Sequence, residues 1–137
     1  MPLTLEEAQT VIAGAHEHAR QIGVQVTVAI VDEGGLLQAL GRMDGAPPLS
    51  AQIAEAKGVG AALWHRDGSS LRQMQETRPA FFAQVDRMVR LPIMPGAGSV
   101  LIRRGGAILG AVGVSGALPE QDEECGEAGL STLAPGR

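Results

Sequence analysis

The sequence is poor in aromatic residues and has no excess of basic residues. Together these two features argue against one class of protein. Aromatic residues make up 2% of the chain, with one tryptophan, two phenylalanines and no tyrosine. We therefore expect a hydrophobic core built from valine, isoleucine, leucine and alanine. The formal net charge is −4, and this charge together with so few stacking rings argues against a nucleic-acid-binding surface.

The scarcity of cysteine and of long apolar runs limits where the protein is expected to act. Cys125 is the single cysteine, so an internal disulfide is excluded and a reducing compartment is favoured. No apolar run approaches the ~20 residues of a membrane-spanning helix. The opening residues, MPLTLEEAQT, lack the basic and apolar regions of a signal peptide. The sequence therefore predicts a cytoplasmic protein whose partners are neither membranes nor nucleic acids.

Glycine, by contrast, is abundant, and the length fits one domain. The chain has 137 residues, of which 45% are hydrophobic and 19% charged. These values are typical of globular proteins, and we expect a single domain over residues 1–137. The 19 glycines exceed the average share of about 7%. Such an excess indicates tight turns or close approaches between backbone segments.

Hydrophobic periodicity predicts a helix followed by a hairpin in the first third of the chain. Residues 4–23 begin with a T-x-x-E capping box, follow helical spacing and end at a glycine. Residues 24–31 alternate as a strand does. The Asp-Glu-Gly-Gly sequence of residues 32–35 is typical of a hairpin turn. Residues 36–42 are predicted to return as the partner strand.

Helices are predicted for the middle of the chain. We expect Ser50 to cap a second helix that reaches about Trp64. Residues 67–70 interrupt the helical pattern, and a weaker helix is predicted within residues 71–88. Residues 91–98 contain two prolines and two glycines, so neither a regular helix nor a central strand is expected there.

A second hairpin and a last helix complete the predicted order of elements. Residues 99–103 and 107–115 have the patterns of strands, with two glycines in the turn between them. Pro119 begins the last helix, whose first turn is acidic. Two hairpins imply an antiparallel sheet with helices packed on it, which is a fold of the α/β (α+β) class. The C-terminal residues 134–137 are expected to fray.

Two candidate site positions bear a positive charge. Arg42 and Asp44 follow the second strand, and an arginine there can hold a carboxylate or propionate through two hydrogen bonds. Asp44 and Asp32 are candidate ligand-binding residues beside it; the alternative is that Arg42 pairs with one of them and braces the loop. Lys57 lies within the apolar stripe of the second helix. Its side chain therefore either extends along the apolar surface to bring the ammonium into water or enters a polar cavity. In a cavity it would neutralise an anion or act as an acid or base.

Glycine-rich segments form two further candidate sites. Gly96 and Gly98 allow a ligand to approach the backbone and its N–H groups. Ser115 and Gly116 end a predicted strand just before a helix N-terminus, which favours anions. Gly113, inside that strand, weakens it unless a helix, a partner subunit or a ligand packs closely against it.

The three histidines do not indicate a metal site. His16 and His18 are two residues apart on a helix, so they point in different directions and cannot chelate one metal. No cysteine and histidine residues have the spacing of a zinc site. His65 is either a surface cap at a helix end or an axial ligand of a bound metal cofactor. No metal site is assigned, and His65 stays a candidate ligand.

Several segments together resemble the GlcG/HbpS family, which is also found as the C-terminal domain of PduO-type proteins. The resemblance extends from about Thr4 to Leu133. It rests on Val28-Ala-Ile-Val-Asp32 with Gly34-Gly35, Arg42-Met-Asp-Gly-Ala46, Ala56-Lys57, Gly110-Ala-Val-Gly-Val-Ser-Gly116 and Glu120-Gln-Asp122.

This resemblance implies a profilin-like fold, with a central antiparallel sheet flanked by helices, and assembly into homo-oligomers of two or more subunits. It also implies haem or another tetrapyrrole as a candidate ligand. The chain departs from the family pattern at Gly58-Val59-Gly60 and in residues 95–98, so we expect a different pocket shape. Met43 and Met94 are weaker candidate ligands for the iron.

Three functions therefore remain open. The first is a small-molecule-binding module in which Arg42, Lys57 and Arg103 hold the propionates of a tetrapyrrole. The second is an enzyme of the lyase, hydratase or isomerase type, in which Lys57 or Asp122 acts as acid or base and Arg42 anchors a small anionic substrate. The third is a purely structural role. Both ligand-binding hypotheses require Arg42, Lys57, residues 95–98 and residues 115–122 to converge on a shared hollow.

Overall fold

The computed structural model describes residues 2–133, and these residues form five helices and four strands. The helices are α1 (Leu5–Ile22), α2 (Ser50–Trp64), α3 (Gly68–Thr77), α4 (Pro79–Asp86) and α5 (Pro119–Leu130). The strands are β1 (Thr27–Asp32), β2 (Leu37–Arg42), β3 (Ser99–Arg104) and β4 (Ala107–Ser115). Within this range no helix has the length and apolar character needed to cross a membrane. The fraying predicted for residues 134–137 lies outside the described residues.

The four strands form one antiparallel sheet in the order β2-β1-β4-β3. Both predicted hairpins are present, and β1 also pairs with β4 in the centre of the sheet. Thr27 lies opposite both Arg42 and Ser115. One end of the sheet, which we call the Ser115 end, therefore brings together the starts of β1 and β3 and the ends of β2 and β4.

Helices cover both faces of the sheet because the side chains on both sides of the central strands are apolar. Val28 and Ile30 of β1 pack in one core cluster with residues of α1 and α5. Val31 and Ala111 belong to a second cluster, on the other face, with residues of α2. A smaller cluster joins α3, α4 and residue Ile93. The predicted α+β architecture is confirmed.

The limits predicted for α1 are also confirmed. The Thr4 hydroxyl accepts a hydrogen bond from the Glu7 backbone N–H, and the Glu7 carboxylate accepts one from the Thr4 backbone N–H, both at 3.0 Å. Gly23 ends the helix in the left-handed conformation, with φ of 76°. Both signals are local in the sequence, which is why the pattern alone predicted them.

The prediction that Ser50 caps α2 is wrong. Ser50 is the first residue of the helix, and its side chain makes no capping hydrogen bond. Its buried hydroxyl instead hydrogen-bonds with the Thr27 hydroxyl at 2.7 Å and donates to the Pro47 carbonyl. Ser50 therefore attaches the start of α2 to the Ser115 end of the sheet.

The single weaker helix predicted within residues 71–88 is also wrong, because two helices occupy this segment. The first, α3, already begins at Gly68, inside the stretch that was expected to interrupt the helix. The second, α4, begins at Pro79. The break arises because proline has no N–H to donate and disfavours helical geometry at the residue before it, here Arg78.

Gly113 of β4 allows α2 to lie directly on the sheet. A Cβ atom at Gly113 would lie 2.0 Å from the Ala54 carbonyl oxygen and 2.7 Å from the Gly58 backbone nitrogen. The backbones of helix and strand are therefore in contact with no side chain between them. Of the three packing partners that the sequence allowed for Gly113, the described residues provide a helix.

This contact predicts opposite effects for two glycine-to-alanine substitutions. Gly113→Ala is expected to lower the free energy of unfolding by about 1–3 kcal/mol, because the new methyl group overlaps α2. Gly58→Ala is the matched control, since its Cβ would meet its nearest neighbour at 3.4 Å; we expect it to stabilise the helix by about 0.5–1 kcal/mol. Urea unfolding followed by Trp64 fluorescence measures both, and equal effects would contradict the backbone contact.

Candidate functional site

Lys57 and Asp122 meet in a buried ion pair at the Ser115 end of the sheet. Lys57 Nζ lies 3.2 Å from Asp122 Oδ2, although α2 and α5 cover opposite faces. Nζ also donates to the Val114 carbonyl at 2.8 Å, and Asp122 Oδ1 accepts from the Ala117 N–H at 3.0 Å. The two residues are only 8% and 2% exposed. The pair therefore links the two helical layers around the end of the sheet.

Gly98, directly before β3, leaves the space through which Lys57 reaches Asp122. Its φ of 121° is in the region that favours glycine, and a Cβ atom there would lie 2.6 Å from Lys57 Nζ. The Gly98 carbonyl accepts a hydrogen bond from the Val114 N–H at 2.8 Å. Gly96 also has a positive φ, of 122°, and a Cβ atom there would lie 3.3 Å from Arg72 Nη2.

Ser115 ends β4 beside this pair, and Gly116 follows it. Ser115 is buried opposite Thr27. Gly116 has a φ of 133°, and a Cβ atom on it would lie 2.5 Å from the Gln25 carbonyl oxygen. The chain can turn tightly here from β4 towards α5 because residue 116 is glycine. The predicted residues that meet at this end of the sheet are Lys57, Gly98, Ser115, Gly116 and Asp122.

Burial shifts the proton affinities of the groups around the pair. Burial raises the pKa of Asp122, and the Lys57 ammonium and the Ala117 N–H oppose that shift. Burial and the nearby carboxylates of Asp122 and Glu124 raise the pKa of the Cys125 thiol to about 11. The thiol therefore stays protonated at neutral pH, which makes Cys125 a core residue rather than a nucleophile.

Arg42 and Asp44 do not join the buried pair. Arg42 lies at the Ser115 end, but two strands away from Ser115, which is a separation of about 10 Å. Its exposed guanidinium donates to the Ala46 carbonyl at 3.0 Å, so it braces the loop through a backbone oxygen. Asp44 is exposed in that loop. Arg103 is exposed on the edge strand β3, on the other side of the sheet.

Asp32 lies at the opposite end of β1 from Thr27, away from the buried pair. Its Oδ1 atom accepts hydrogen bonds from the backbone N–H groups of Gly34 at 2.9 Å and Leu36 at 3.0 Å. These bonds close the β1–β2 turn. The predicted catalytic and ligand-binding residues are therefore divided between a packed ion pair, an exposed loop and a hairpin turn.

The candidate iron ligands named from the sequence lie on three different segments of the chain: the end of α2, the loop after β2 and the loop before β3. His65 ends α2 in the left-handed conformation, with φ of 56°, and is exposed. The Met43 sulfur accepts from the Val26 N–H at 3.4 Å, and Met94 lies in the loop before β3. Among residues 2–133, no group of three or more histidine, cysteine, aspartate or glutamate side chains is arranged to hold a metal ion.

A pocket between α1 and the edge strand β2, which we call the α1–β2 pocket, was not predicted. It has a volume of about 350 Å³, and its lining includes Ile12, Ala13, His16, Arg20 and Leu40. His16 Nε2 lies 3.0 Å from the Gly41 carbonyl oxygen. A carbonyl can only accept, so Nε2 bears the proton and Nδ1 is unprotonated in the neutral ring. Burial lowers the pKa of His16, so the ring is neutral at pH 7.

Gly41 provides the room for the His16 ring. A Cβ atom at Gly41 would lie 2.9 Å from His16 Cε1 and 3.0 Å from Ile12 Cγ2. A glycine within a strand was the one available signal in the sequence, but it does not reveal which helical residue lies opposite. His18 pairs instead with Glu124 on α5, which confirms that the two histidines of α1 point in different directions.

A second concavity, which we call the α2 groove, lies between α2 and the loop of residues 91–94. Its volume is about 550 Å³. Its walls are mostly apolar, and its polar lining consists of Gln52 and Glu55, three residues apart on α2. Its lining includes Leu49, Gln52, Ile53, Glu55, Ala56 and Met94.

The sheet order, the helices on both faces and the buried ion pair at the sheet end define an α+β sandwich protein. The family model described as "Haem degrading protein HbpS-like" matches residues 3–131, so this chain belongs to the HbpS-like family. The resemblance inferred from the sequence segments is confirmed.

Individual relatives agree with this assignment. Protein GlcG of Escherichia coli K12 is 34% identical over 113 residues, which are 82% of this chain and 81% of GlcG. A crystal structure of a double mutant of HbpS from Streptomyces reticuli is 30% identical, with a TM-score of 0.87 over 98% of this chain and 88% of that one. The PduOC structure, solved as a haem complex, has a TM-score of 0.87 over 97% of this chain and 96% of that one. The two sequences are 23% identical, so this likeness shows the fold alone.

The buried ion pair predicts strong coupling between two substitutions. Lys57→Met alone is expected to lower the free energy of unfolding at neutral pH by about 3 kcal/mol, because it leaves the buried Asp122 carboxylate without its partner. Asp122→Asn resembles the protonated carboxyl that burial favours, so it is expected to cost much less. The double variant is expected to lose much less than the sum of the two. The exposed Arg20–Glu17 pair provides the control, since Arg20→Met is expected to cost less than about 1 kcal/mol. Additive effects at Lys57 and Asp122 would rule out a direct pair.

Asp122 also predicts the sign of a pH effect on stability. Burial raises its pKa in the folded state above the reference value of 3.8, so the folded protein keeps this proton to a higher pH than the unfolded chain does. The resulting stabilisation is complete below the unfolded-state pKa and is lost as pH rises through the folded-state pKa. Urea titrations from pH 3 to pH 7 are expected to show wild-type stability falling relative to Asp122→Asn; a relative rise would disprove the direction of the shift.

Proposed function

We propose that this chain binds haem or a related tetrapyrrole in the α1–β2 pocket. The observation that supports the proposal is the position of His16, whose Nε2–H group donates to the Gly41 carbonyl. Histidines that ligate a metal usually give their other ring N–H to a carbonyl or carboxylate in this way. The neutral ring leaves Nδ1 as the candidate iron ligand.

Other residues of the pocket match the remaining parts of a tetrapyrrole. Ile12 and Leu40 offer apolar surface to the macrocycle. Arg20, one turn after His16, can bind a propionate through charge-assisted hydrogen bonds. Its present partner Glu17 is 3.2 Å away, and both side chains are about 60% exposed, so this pair costs little to break. A bound haem would supply an iron centre whose properties depend on its axial ligand.

The comparisons with relatives support the same class of ligand. The family description names haem degradation, and the structurally similar PduOC was solved with haem. The α1–β2 pocket thereby replaces the sites expected from the sequence, because neither Lys57 nor His65 is part of its lining.

We further propose that a second copy of the chain covers the open side of this pocket. Its volume of about 350 Å³ is near the lower end of the ~300–1,000 Å³ typical of small-molecule sites. In residues 2–133, β2 pairs only with β1 and forms an edge of the sheet. Leu37 and Leu40 of β2 are 44% and 38% exposed. An edge strand with apolar side chains is a surface that favours pairing with another chain.

The second candidate function is acid–base catalysis on a small anionic metabolite. It is favoured by one observation, the buried Lys57–Asp122 pair and the raised pKa of Asp122, since such shifts are common at catalytic sites. We rank it second because Lys57 and Asp122 already bond to each other, to Val114 and to Ala117. Neither side chain lines the α1–β2 pocket or the α2 groove.

The three histidines of the chain provide a matched test of haem binding. We expect haemin to bind wild-type protein at a fixed stoichiometry, with a defined Soret band and a complex retained in native mass spectrometry. His16→Ala is expected to weaken binding at least about tenfold and to change the spectrum, because the proposed iron ligand is lost.

The controls are His18→Ala and His65→Ala, which remove imidazoles that do not line the pocket. Both are expected to bind haemin as the wild type does. Unchanged binding in His16→Ala, or haemin that adheres without fixed stoichiometry, would refute the proposal. Loss of binding in His65→Ala alone would instead restore the site first inferred from the sequence.

A further inference from the structure

We infer that the α2 groove is a second binding site, for a small apolar molecule that bears a cationic amine. The inference goes beyond tetrapyrrole binding. It concerns the face of the sheet covered by α2, whereas α1 and the α1–β2 pocket belong to the other face. The observations that support it are the groove's volume, its fixed walls and the one charged group in its lining.

The groove has the size and surface of a small-molecule site. Its volume of about 550 Å³ lies within the ~300–1,000 Å³ typical of such sites. Leu49 and Met94 on its rim are 59% and 40% exposed. Adjacent apolar side chains that stay open to water around a concavity are characteristic of binding surfaces.

The groove is formed before any ligand arrives, because the loop that makes its second wall is attached to the helices. The Met94 N–H donates to the Ala56 carbonyl of α2 at 3.4 Å. The Ile93 N–H donates to the Asp86 carboxylate at 2.8 Å. Ile93 also packs on α2, where a Cβ atom at Gly60 would lie 2.6 Å from its Cγ2. A fixed wall lowers the entropy cost of binding.

The charge of the groove selects the class of ligand. Glu55 is the one ionisable residue of its lining, and it is half-buried. No hydrogen bond or ion pair found among residues 2–133 uses the Glu55 carboxylate. Gln52, one turn earlier on α2, adds a neutral polar group. A half-buried carboxylate without a partner favours a ligand that brings a positive charge and N–H donors.

This charge also distinguishes the two sites from each other. The lining of the α1–β2 pocket includes the guanidinium of Arg20, which suits the propionates of a tetrapyrrole. The α2 groove offers only the Glu55 carboxylate, which repels such a ligand. The two concavities are therefore complementary to ligands of opposite charge.

The test compares two probes that share one ring system and differ in charge. Isothermal titration calorimetry of the whole chain measures binding of naphthylmethylamine, a cation at neutral pH, and of naphthylacetate, an anion. We expect the amine to bind saturably at one site per chain, about tenfold or more tighter than the acid, because the contact with Glu55 is charge-assisted. Equal affinities, or no saturable binding of the amine, would overturn the inference.

Substitutions then assign the binding to the groove. Glu55→Gln is expected to remove the preference for the amine, and Ala56→Trp to abolish binding of both probes by filling the groove. Gln52→Lys changes an exposed residue, so the fold is expected to tolerate it, and the added cation should weaken the preference for the amine by pairing with Glu55. Glu76→Gln, on the exposed surface of α3, is the matched control and should change nothing. A preference for the amine that is unchanged in both Glu55→Gln and Gln52→Lys would place the site elsewhere and overturn the inference.

Because the probes are not tetrapyrroles, this outcome is separate from that of the haemin titration. His16→Ala should leave the amine affinity unchanged, and Glu55→Gln should leave haemin binding unchanged. Loss of amine binding in His16→Ala would show that the two concavities are not independent sites and would overturn the inference.

Discussion

The direct contact between α2 and Gly113 of β4 determines much of the remaining geometry. Because no side chain separates the two backbones, α2 lies low on the sheet, and Lys57 lies level with the end of β4. Gly98 then leaves an opening at the start of β3, and through it Lys57 reaches Asp122 on the other face. Close packing within the chain therefore explains why residues 98 and 113 are glycines.

This arrangement explains why the most promising residues of the sequence do not form an open site. A buried ammonium and a buried carboxylate are tolerated when they satisfy each other and the nearby backbone, and Lys57 and Asp122 do both. The pair itself is therefore enclosed by direct contacts at the Ser115 end of the sheet. The two concavities described here lie elsewhere, one beside the edge strand β2 and one beside α2, where rigid elements hold their walls in place.

The features that the sequence predicted correctly depend on neighbours in the chain. The capping box of Thr4 and Glu7 and the glycine turns of both hairpins are signals of this kind. The predictions failed where a distant contact decides the outcome: Ser50 bonds to Thr27 of β1 instead of capping α2. The His16 site was missed for the same reason, since its ring is placed by the packing of α1 on Gly41. Lys57 and Asp122 were predicted separately as acid–base candidates, and their separation in the chain hid the fact that they bond to each other.

The central functional claim is that a tetrapyrrole occupies the α1–β2 pocket. Backbone amide NMR of the chain with bound haemin tests it most directly, because the paramagnetic iron broadens the signals of nearby residues. Broadening centred on residues 9–20 of α1 and on residues 39–41 of β2, with the α2 groove unaffected, is the result that the account predicts. Broadening centred on the α2 groove, on His65 or on the Lys57–Asp122 pair would contradict it.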